Sequence, residues 1–150
     1  MSILPALLPR MLSATLALGL VTPAVAVEIG QIKVLKGQVT VERNARMLPG
    51  SVGMRLETSD ILRTGTDGSV GVTMSDDSLL SAGPNSILAL ERYEFDAVTS
   101  QGRFDATLKK GSLAVISGRI AKQAPDAMTV RTPAAILGVR GTEFAVTASD

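Results

Sequence analysis

Paired carboxylates can exchange protons with a substrate or bind a cation, and the sequence contains one adjacent pair, Asp76 and Asp77. Neighbouring residues on an extended chain point to opposite faces, so these two carboxylates cannot easily converge on one substrate. Neither this pair nor Asp67-Gly68 has the oxygen-ligand spacing of a calcium loop. We therefore interpret Asp76 and Asp77 as a solvated turn between two strands.

A second group of candidates, Arg140, Thr142 and Glu143, lies near the end of the chain. Arg140 follows an apolar run, and Gly138 and Gly141 flank the pair Val139-Arg140, so the arginine could bind an anion or a protein partner. Alternatively, it could be partly buried and paired with Glu143 or Asp60, fixing a corner of the chain, and this second interpretation is favoured. The Thr142 hydroxyl is better suited to bonding a turn amide than to nucleophilic attack. The sequence predicts either a partner-binding surface or a corner here.

Histidine and cysteine are both absent from the chain. This excludes Ser-His-Asp and Cys-His nucleophile systems, the usual zinc and copper ligand sets, and disulfide bonds. Because the remaining residues assemble no catalytic set, we expect a protein that is not an enzyme and that has no cofactor or metal. With 15 basic and 14 acidic residues, the chain also lacks the basic footprint that nucleic-acid binding requires.

Residues 1–26 have the pattern of a signal peptide. Arg10 ends a short n-region, Met11 to Val21 is an apolar run, and Ala24-Val25-Ala26 is a small-x-small cleavage pattern. A cleaved signal peptide is favoured over an uncleaved membrane anchor, because the run is shorter than the roughly 20 residues of a spanning helix. We expect a helix there, followed by a periplasmic or otherwise exported domain over residues 27–150.

The sequence after the predicted signal peptide, residues 27–150, predicts short strands. From Glu28 onwards, apolar residues alternate in brief runs separated by Gly, Pro, Asn and Asp, which predicts about ten strands and no long helix. Ile32 and Val34 are expected on one face of the first strand, and Phe144 and Val146 on one face of the last. Lys109-Lys110 and the following glycine are interpreted as a solubilising turn between two strands.

Two polar segments do not have a strand pattern. Glu91 to Gly102 predicts a strand end followed by a loop, and Gly118 to Asp126 predicts an exposed loop. Between them and the end of the chain, alternation predicts an extended segment with Met128, Val130 and Thr132 on one face. Pro133 removes a backbone donor and predicts a corner before the apolar run that follows it.

The sequence resembles the FecR domain family over roughly Gly30 to Val146. Five segments carry the resemblance in the order the family shows: GQVTV (Gly37 to Val41), DILRTG (Asp60 to Gly65), VGVTM (Val70 to Met74), LKKGSL (Leu108 to Leu113) and TPAAILGVRGTEFAV (Thr132 to Val146). The last of these is similar to the signature segment of the family. Together with the short strands, the resemblance implies an all-β domain, either a β-helix-like stack or a jelly-roll-like sandwich of two sheets.

The resemblance implies an exported, non-enzymatic protein that binds an envelope component or a protein partner. Two alternatives remain open: a periplasmic accessory to iron-uptake or sigma-factor signalling, and a structural or adhesive envelope protein. In sensor members of the family, the domain receives a signal from an outer-membrane transporter and passes it through a membrane helix to a cytoplasmic segment. This sequence departs from that plan because no cytoplasmic domain precedes its apolar segment, so signal transduction by this chain alone is not expected. Membrane contact is expected only through the apolar segment, if it is not cleaved.

The end of the sequence at Asp150 suggests a further hypothesis. The resemblance implies additional strands after Val146, so the domain is expected to lack C-terminal strands. An open edge at this position could pair with another chain, either by self-association or by addition of a partner's strand.

Overall fold

The computed structural model describes residues 19–140 and 143–149, and its domain is built almost entirely of β-strands. The all-β prediction is confirmed. The strands are β1 (Glu28–Lys36), β2 (Val39–Arg43), β3 (Arg46–Pro49), β4 (Arg55–Glu57), β5 (Ile61–Thr64), β6 (Ser69–Met74), β7 (Leu79–Ala82), β8 (Ile87–Phe95), β9 (Gly102–Ile116), β10 (Met128–Arg131), β11 (Ile136–Gly138) and β12 (Glu143–Ala148). A short helix, α1 (Arg119–Gln123), and a 3₁₀ turn (Pro125–Ala127) lie between β9 and β10.

The strands form one curled sheet that consists of two halves. Half-sheet I has the order β4-β1-β6-β7-β9-β12, and half-sheet II has the order β3-β2-β5-β8-β9-β10-β11. Every pairing is antiparallel except that of β9 with β10. The sheet therefore curls around a core between its halves, and it does not form the parallel coils of a β-helix.

β9 is the strand that the two half-sheets share. Its first part pairs with β8 and β10, and from Gly111 onwards it pairs with β7 and β12. Gly111 has a φ of 94°, a conformation that L side chains rarely adopt, so the strand changes direction there. The predicted turn at Lys109-Lys110 is therefore wrong, because β9 continues through the bend as one strand and only exchanges its neighbours there.

One hydrophobic core lies between the half-sheets. β9 supplies residues to it from both of its parts, with Phe104 and Leu108 before the bend and Leu113 and Val115 after it, all at most 1% exposed. The core is built mainly of aliphatic side chains, in keeping with an aromatic content of only 3%. Since a single strand contributes to the core on both sides of its bend, packing fixes the angle between the half-sheets.

A bulge in β1 changes which side chains face the core. The pairing register with β6 shifts between Ile32 and Val34 because one extra residue, Lys33, is accommodated there. Ile32 is fully buried, whereas Val34 is 54% exposed. The prediction that both residues lie on one face is wrong for this reason, since a one-residue shift turns each later side chain to the opposite face.

The segment after β9 is also more ordered than its sequence suggests. Gly118 to Asp126 was expected to be an exposed loop, but it contains α1, and Ile120 of this helix is fully buried. Asp76 holds the helix in place: its carboxylate accepts hydrogen bonds from the Ile120 amide at 3.1 Å and from the Ser78 hydroxyl at 2.8 Å. Asp76 is therefore buried in the turn between β6 and β7, which corrects its interpretation as solvated, whereas Asp77 is exposed.

The N-terminal region is described only from residue 19. Residues 19–26 are exposed and have no regular secondary structure, and the rest of the predicted signal peptide lies outside the described residues. In the part of the chain that the structure covers, no helix is both long and apolar enough to cross a membrane.

The bend at Gly111 predicts a large cost for any side chain at that position. A Cβ there would lie 2.1 Å from Ser86 Oγ and 2.5 Å from Ser86 Cα. We expect Gly111→Ala to lower the free energy of unfolding by about 3 kcal/mol, from backbone strain and overlap together. Gly138→Ala is the matched control, because a Cβ at Gly138 meets nothing within 4 Å. Urea unfolding that shows equal stability for the two variants would contradict this role of Gly111.

Candidate partner-binding surface

The C-terminal part of the domain begins with a hairpin formed by β10 and β11. β10 pairs in parallel with β9 on one side and antiparallel with β11 on the other. The Thr132 amide donates to the Ala135 carbonyl at 2.8 Å, and the Thr132 hydroxyl accepts from the Ala135 amide at 3.1 Å. Pro133 has no amide to donate, so it fits this turn, and the predicted corner is a tight hairpin turn.

β10 is anchored by packing on one face and by polar contacts on the other. Met128 and Val130 are fully buried, as their alternation predicts. On the outer face, the Thr129 hydroxyl donates to Asp105 of β9, and Asp105 also accepts two hydrogen bonds from Arg103 at 3.1 Å. Burial alone would raise the pKa of Asp105, but these hydrogen bonds outweigh it and hold the pKa below its ordinary value.

After β11, the chain crosses from half-sheet II to half-sheet I. Val139 is buried at 3% exposure, and its amide donates to the Met128 carbonyl at 3.0 Å. β12 then pairs with β9 from Glu143 opposite Ile116 to Ala148 opposite Gly111. The segment from Met128 to Ala148 therefore accompanies β9 along one side through both half-sheets. Phe144 and Val146 lie on the same, core-facing side of β12, as predicted.

The structure places Arg140 on the surface. Its side chain is 77% exposed, and its guanidinium lies 3.3 Å from the carboxylate of Asp126, which is 85% exposed. The favoured expectation of a partly buried arginine paired with Glu143 or Asp60 does not describe this side chain. An exposed ion pair of this kind contributes only about 0 to 1 kcal/mol to stability. Arg140 is thus available to contact another molecule at little cost to the fold.

Asp60 has a different arginine partner. Arg43 donates to the Asp60 carboxylate from Nε at 2.8 Å and from Nη2 at 2.6 Å, and to Glu57 at 2.8 Å. Asp60 is fully buried, so this bidentate pair compensates a charge that would otherwise be costly. The hydrogen bond to Asp60 raises the pKa of Arg43 further above its ordinary value.

The other two candidate residues are not brought together with Arg140 by any described contact. Thr142 lies outside the described residues. Glu143 is exposed at the start of β12, on the outer face of half-sheet I. The roles of Arg140, Thr142 and Glu143 in partner binding or in forming the corner stay predictions.

The sequence pattern did not single out Ile136, an exposed isoleucine four residues before Arg140. Ile136 is 68% exposed on β11, a three-residue strand that pairs with β10 alone among the described strands. Ile136 is opposite Arg131, on the outer face, while Leu137 is opposite the buried Val130. The alternation within the apolar run was the available signal, since it puts Ile136 and Leu137 on opposite faces. We call Ile136, Arg140 and Asp126 the hairpin surface.

The described residues provide no cluster of metal ligands at this surface. Within residues 19–140 and 143–149, no group of three or more His, Cys, Asp or Glu residues lies close enough together to hold a metal ion. What the hairpin surface offers is a cation, an apolar side chain and the main chain of an edge strand. These groups recognise proteins and peptides.

The fold and this surface define a small all-β domain with an exposed hairpin at its C-terminal side. The chain belongs to the FecR family: the family model described as FecR protein matches residues 60–150, which is more than half of the chain and includes every strand from β5 to β12. The resemblance found in the sequence is thereby confirmed. Neither a search of the curated proteins nor a search of the solved structures found a match.

The contrast between Arg140 and Arg43 predicts different effects of the same substitution. We expect Arg140→Ala to change the free energy of unfolding by less than about 0.5 kcal/mol, because its ion pair is exposed. Arg43→Ala should cost about 2 kcal/mol, because it leaves the buried Asp60 carboxylate uncompensated. Urea unfolding of the two variants measures both values. A loss at Arg140 as large as that at Arg43 would make Arg140 part of the architecture.

Proposed function

We propose that this FecR-family chain is an exported, non-enzymatic module that binds a protein partner of the cell envelope through the hairpin surface. The observation that carries the proposal is the exposure of Ile136 and Arg140 on an edge hairpin. Neither side chain is needed to bury the core, since β10 and Val139 do this for the segment. Exposed apolar side chains and arginines are both common in protein contact sites.

The edge of β11 adds a second mode of recognition. A strand that pairs on one side only has main-chain donors and acceptors to offer to an extended segment of a partner. Ile136 would supply the side-chain contact to such a segment, and Arg140 would pair with a carboxylate of the partner in place of Asp126. This exchange of partners costs little free energy, because both side chains of the Arg140–Asp126 pair are exposed.

Family membership is also consistent with a role in iron-uptake or sigma-factor signalling from the periplasm. In that case the partner would be a transporter or a signalling protein, and binding would depend on the state of that protein. A structural or adhesive envelope protein would instead remain with the cell wall or outer membrane without any inducing ligand. The identity of the captured partner separates these alternatives.

The proposal is tested by affinity capture from envelope extracts, with the exported protein as bait. The variants are Ile136→Asp and Arg140→Ala, and the control is Val52→Asp, which changes a valine that is 66% exposed in the turn between β3 and β4. We expect recovery of the partner to fall about tenfold for each hairpin variant and to be unchanged for the control. Circular dichroism and urea unfolding confirm that all variants fold. Equal recovery by all four proteins would contradict binding at the hairpin.

A further inference from the structure

A second surface of interest is the outer face of half-sheet I, on the opposite side of its strands from the core. Three large apolar side chains are exposed there on regular strands: Val34 is 54%, Leu79 is 41% and Ile116 is 44% exposed. Leu79 and Ile116 are directly paired between β7 and β9. The other large exposed apolar residues of the described chain are in the N-terminal extension, in turns or on short edge strands, so this concentration within a sheet is distinctive.

This face is uneven because its side chains differ in size. A row of small residues crosses the strands in register from Val34: Gly71 on β6, Ser81 on β7, Ala114 on β9 and Ala145 on β12. The next row is larger and includes Leu79 and Ile116. A shallow groove of about 160 Å³ lies over Gly71, between Val34 and Leu79. The face thus alternates between ridges and depressions, and a second sheet could interdigitate with it.

Basic residues lie at one side of this face and an acidic residue lies at the other. Lys33 and Lys36 are on β1, where the carboxylate of Glu28 is paired with Arg55 of β4 at 3.3 Å, and Glu143 is on β12 at the far side. A face with opposite charges at its two ends is complementary to a copy of itself turned about a two-fold axis. An unrelated partner would need its own matching separation of charge, whereas a second copy has it by symmetry.

We infer that two copies of this chain associate through the outer faces of their half-sheets I. The two-fold axis runs along the strands over β7, so β1 of one copy lies over β12 of the other. In this arrangement Leu79 packs against the partner's Leu79, Val34 enters the depression at the partner's Ala145, and Lys33 meets the partner's Glu143. This assigns Glu143 to an interface between copies and leaves the hairpin surface of each copy free.

The size of the face sets the strength of the association. Five strands at a spacing of about 4.8 Å, with about three outward positions along each, give about 500 Å² per copy. Stable interfaces bury about 800 Å² per partner, so we expect a reversible dimer whose population depends on concentration. The inference is independent of the proposed function, because the two surfaces use different residues.

Sedimentation equilibrium of the exported protein over a concentration series tests the dimer. Leu79→Lys places two like charges at the axis and should raise the dimer dissociation constant at least about tenfold. Ile136→Lys introduces the same side chain at the hairpin and should leave the constant unchanged. A wild-type protein that is monomeric throughout the series, or equal effects of the two variants, would overturn the inference.

A second test exchanges the charges of two exposed residues, so its result does not depend on whether Leu79→Lys folds. Lys33→Glu and Glu143→Lys change exposed side chains, and each should raise the dissociation constant about threefold by opposing like charges across the interface. The double variant restores opposite charges and should return the constant to the wild-type value. Additive weakening in the double variant would contradict the proposed arrangement, because the two residues would then not face each other.

Discussion

The fold depends on backbone pairing along both sides of β9. This strand pairs with β8 and β10 before Gly111 and with β7 and β12 after it. Both half-sheets are therefore tied to one continuous backbone, and neither can reorganise without breaking pairs in the strand that the other needs. The segment that resembles the family's signature, Thr132 to Val146, contains β11 and the start of β12, so it supplies the pairing on the second side of β9 after Gly111. The hairpin and the outer faces of the sheet remain exposed for contacts with other molecules.

Two buried carboxylates hold turns of the curled sheet in place: Asp60 between β4 and β5, and Asp76 between β6 and β7. Asp60 is held by Arg43, and Asp76 is held by hydroxyl and amide donors that include Tyr93 at 3.1 Å. Burial, and next the charge of Asp76, raise the pKa of Tyr93, so its phenol remains a hydrogen-bond donor. Tyr93 also packs edge-on against Phe104 of β9, with ring centroids 5.2 Å apart. These contacts use the few charged and aromatic residues of the core for architecture, and they leave Arg140 outside it.

The sequence predicts most strands of this domain but not the features that join them. Alternation identifies strands such as Val70 to Met74 because one face of each is buried against the core. It cannot identify the bulge at Lys33 or the bend at Gly111, because both depend on what a neighbouring strand does at that position. α1 is too short to produce a periodic pattern, and it is held by Asp76, which is distant in sequence. The exposure of Arg140 also depends on residues distant in sequence. Asp60, one of its two expected partners, is paired with Arg43 instead, and this pairing cannot be read from the residues around Arg140.

Native-state hydrogen exchange of the protein tests most directly whether β9 makes the two half-sheets one cooperative unit. The account predicts that amides of Phe104 to Leu108 and of Leu113 to Ile116 exchange with the same free energy, equal to that of global unfolding, and respond equally to urea. Amides of β11, at the edge, should exchange more readily. If the two parts of β9 instead open with clearly different free energies and urea dependence, the half-sheets unfold separately and the shared strand does not unite them.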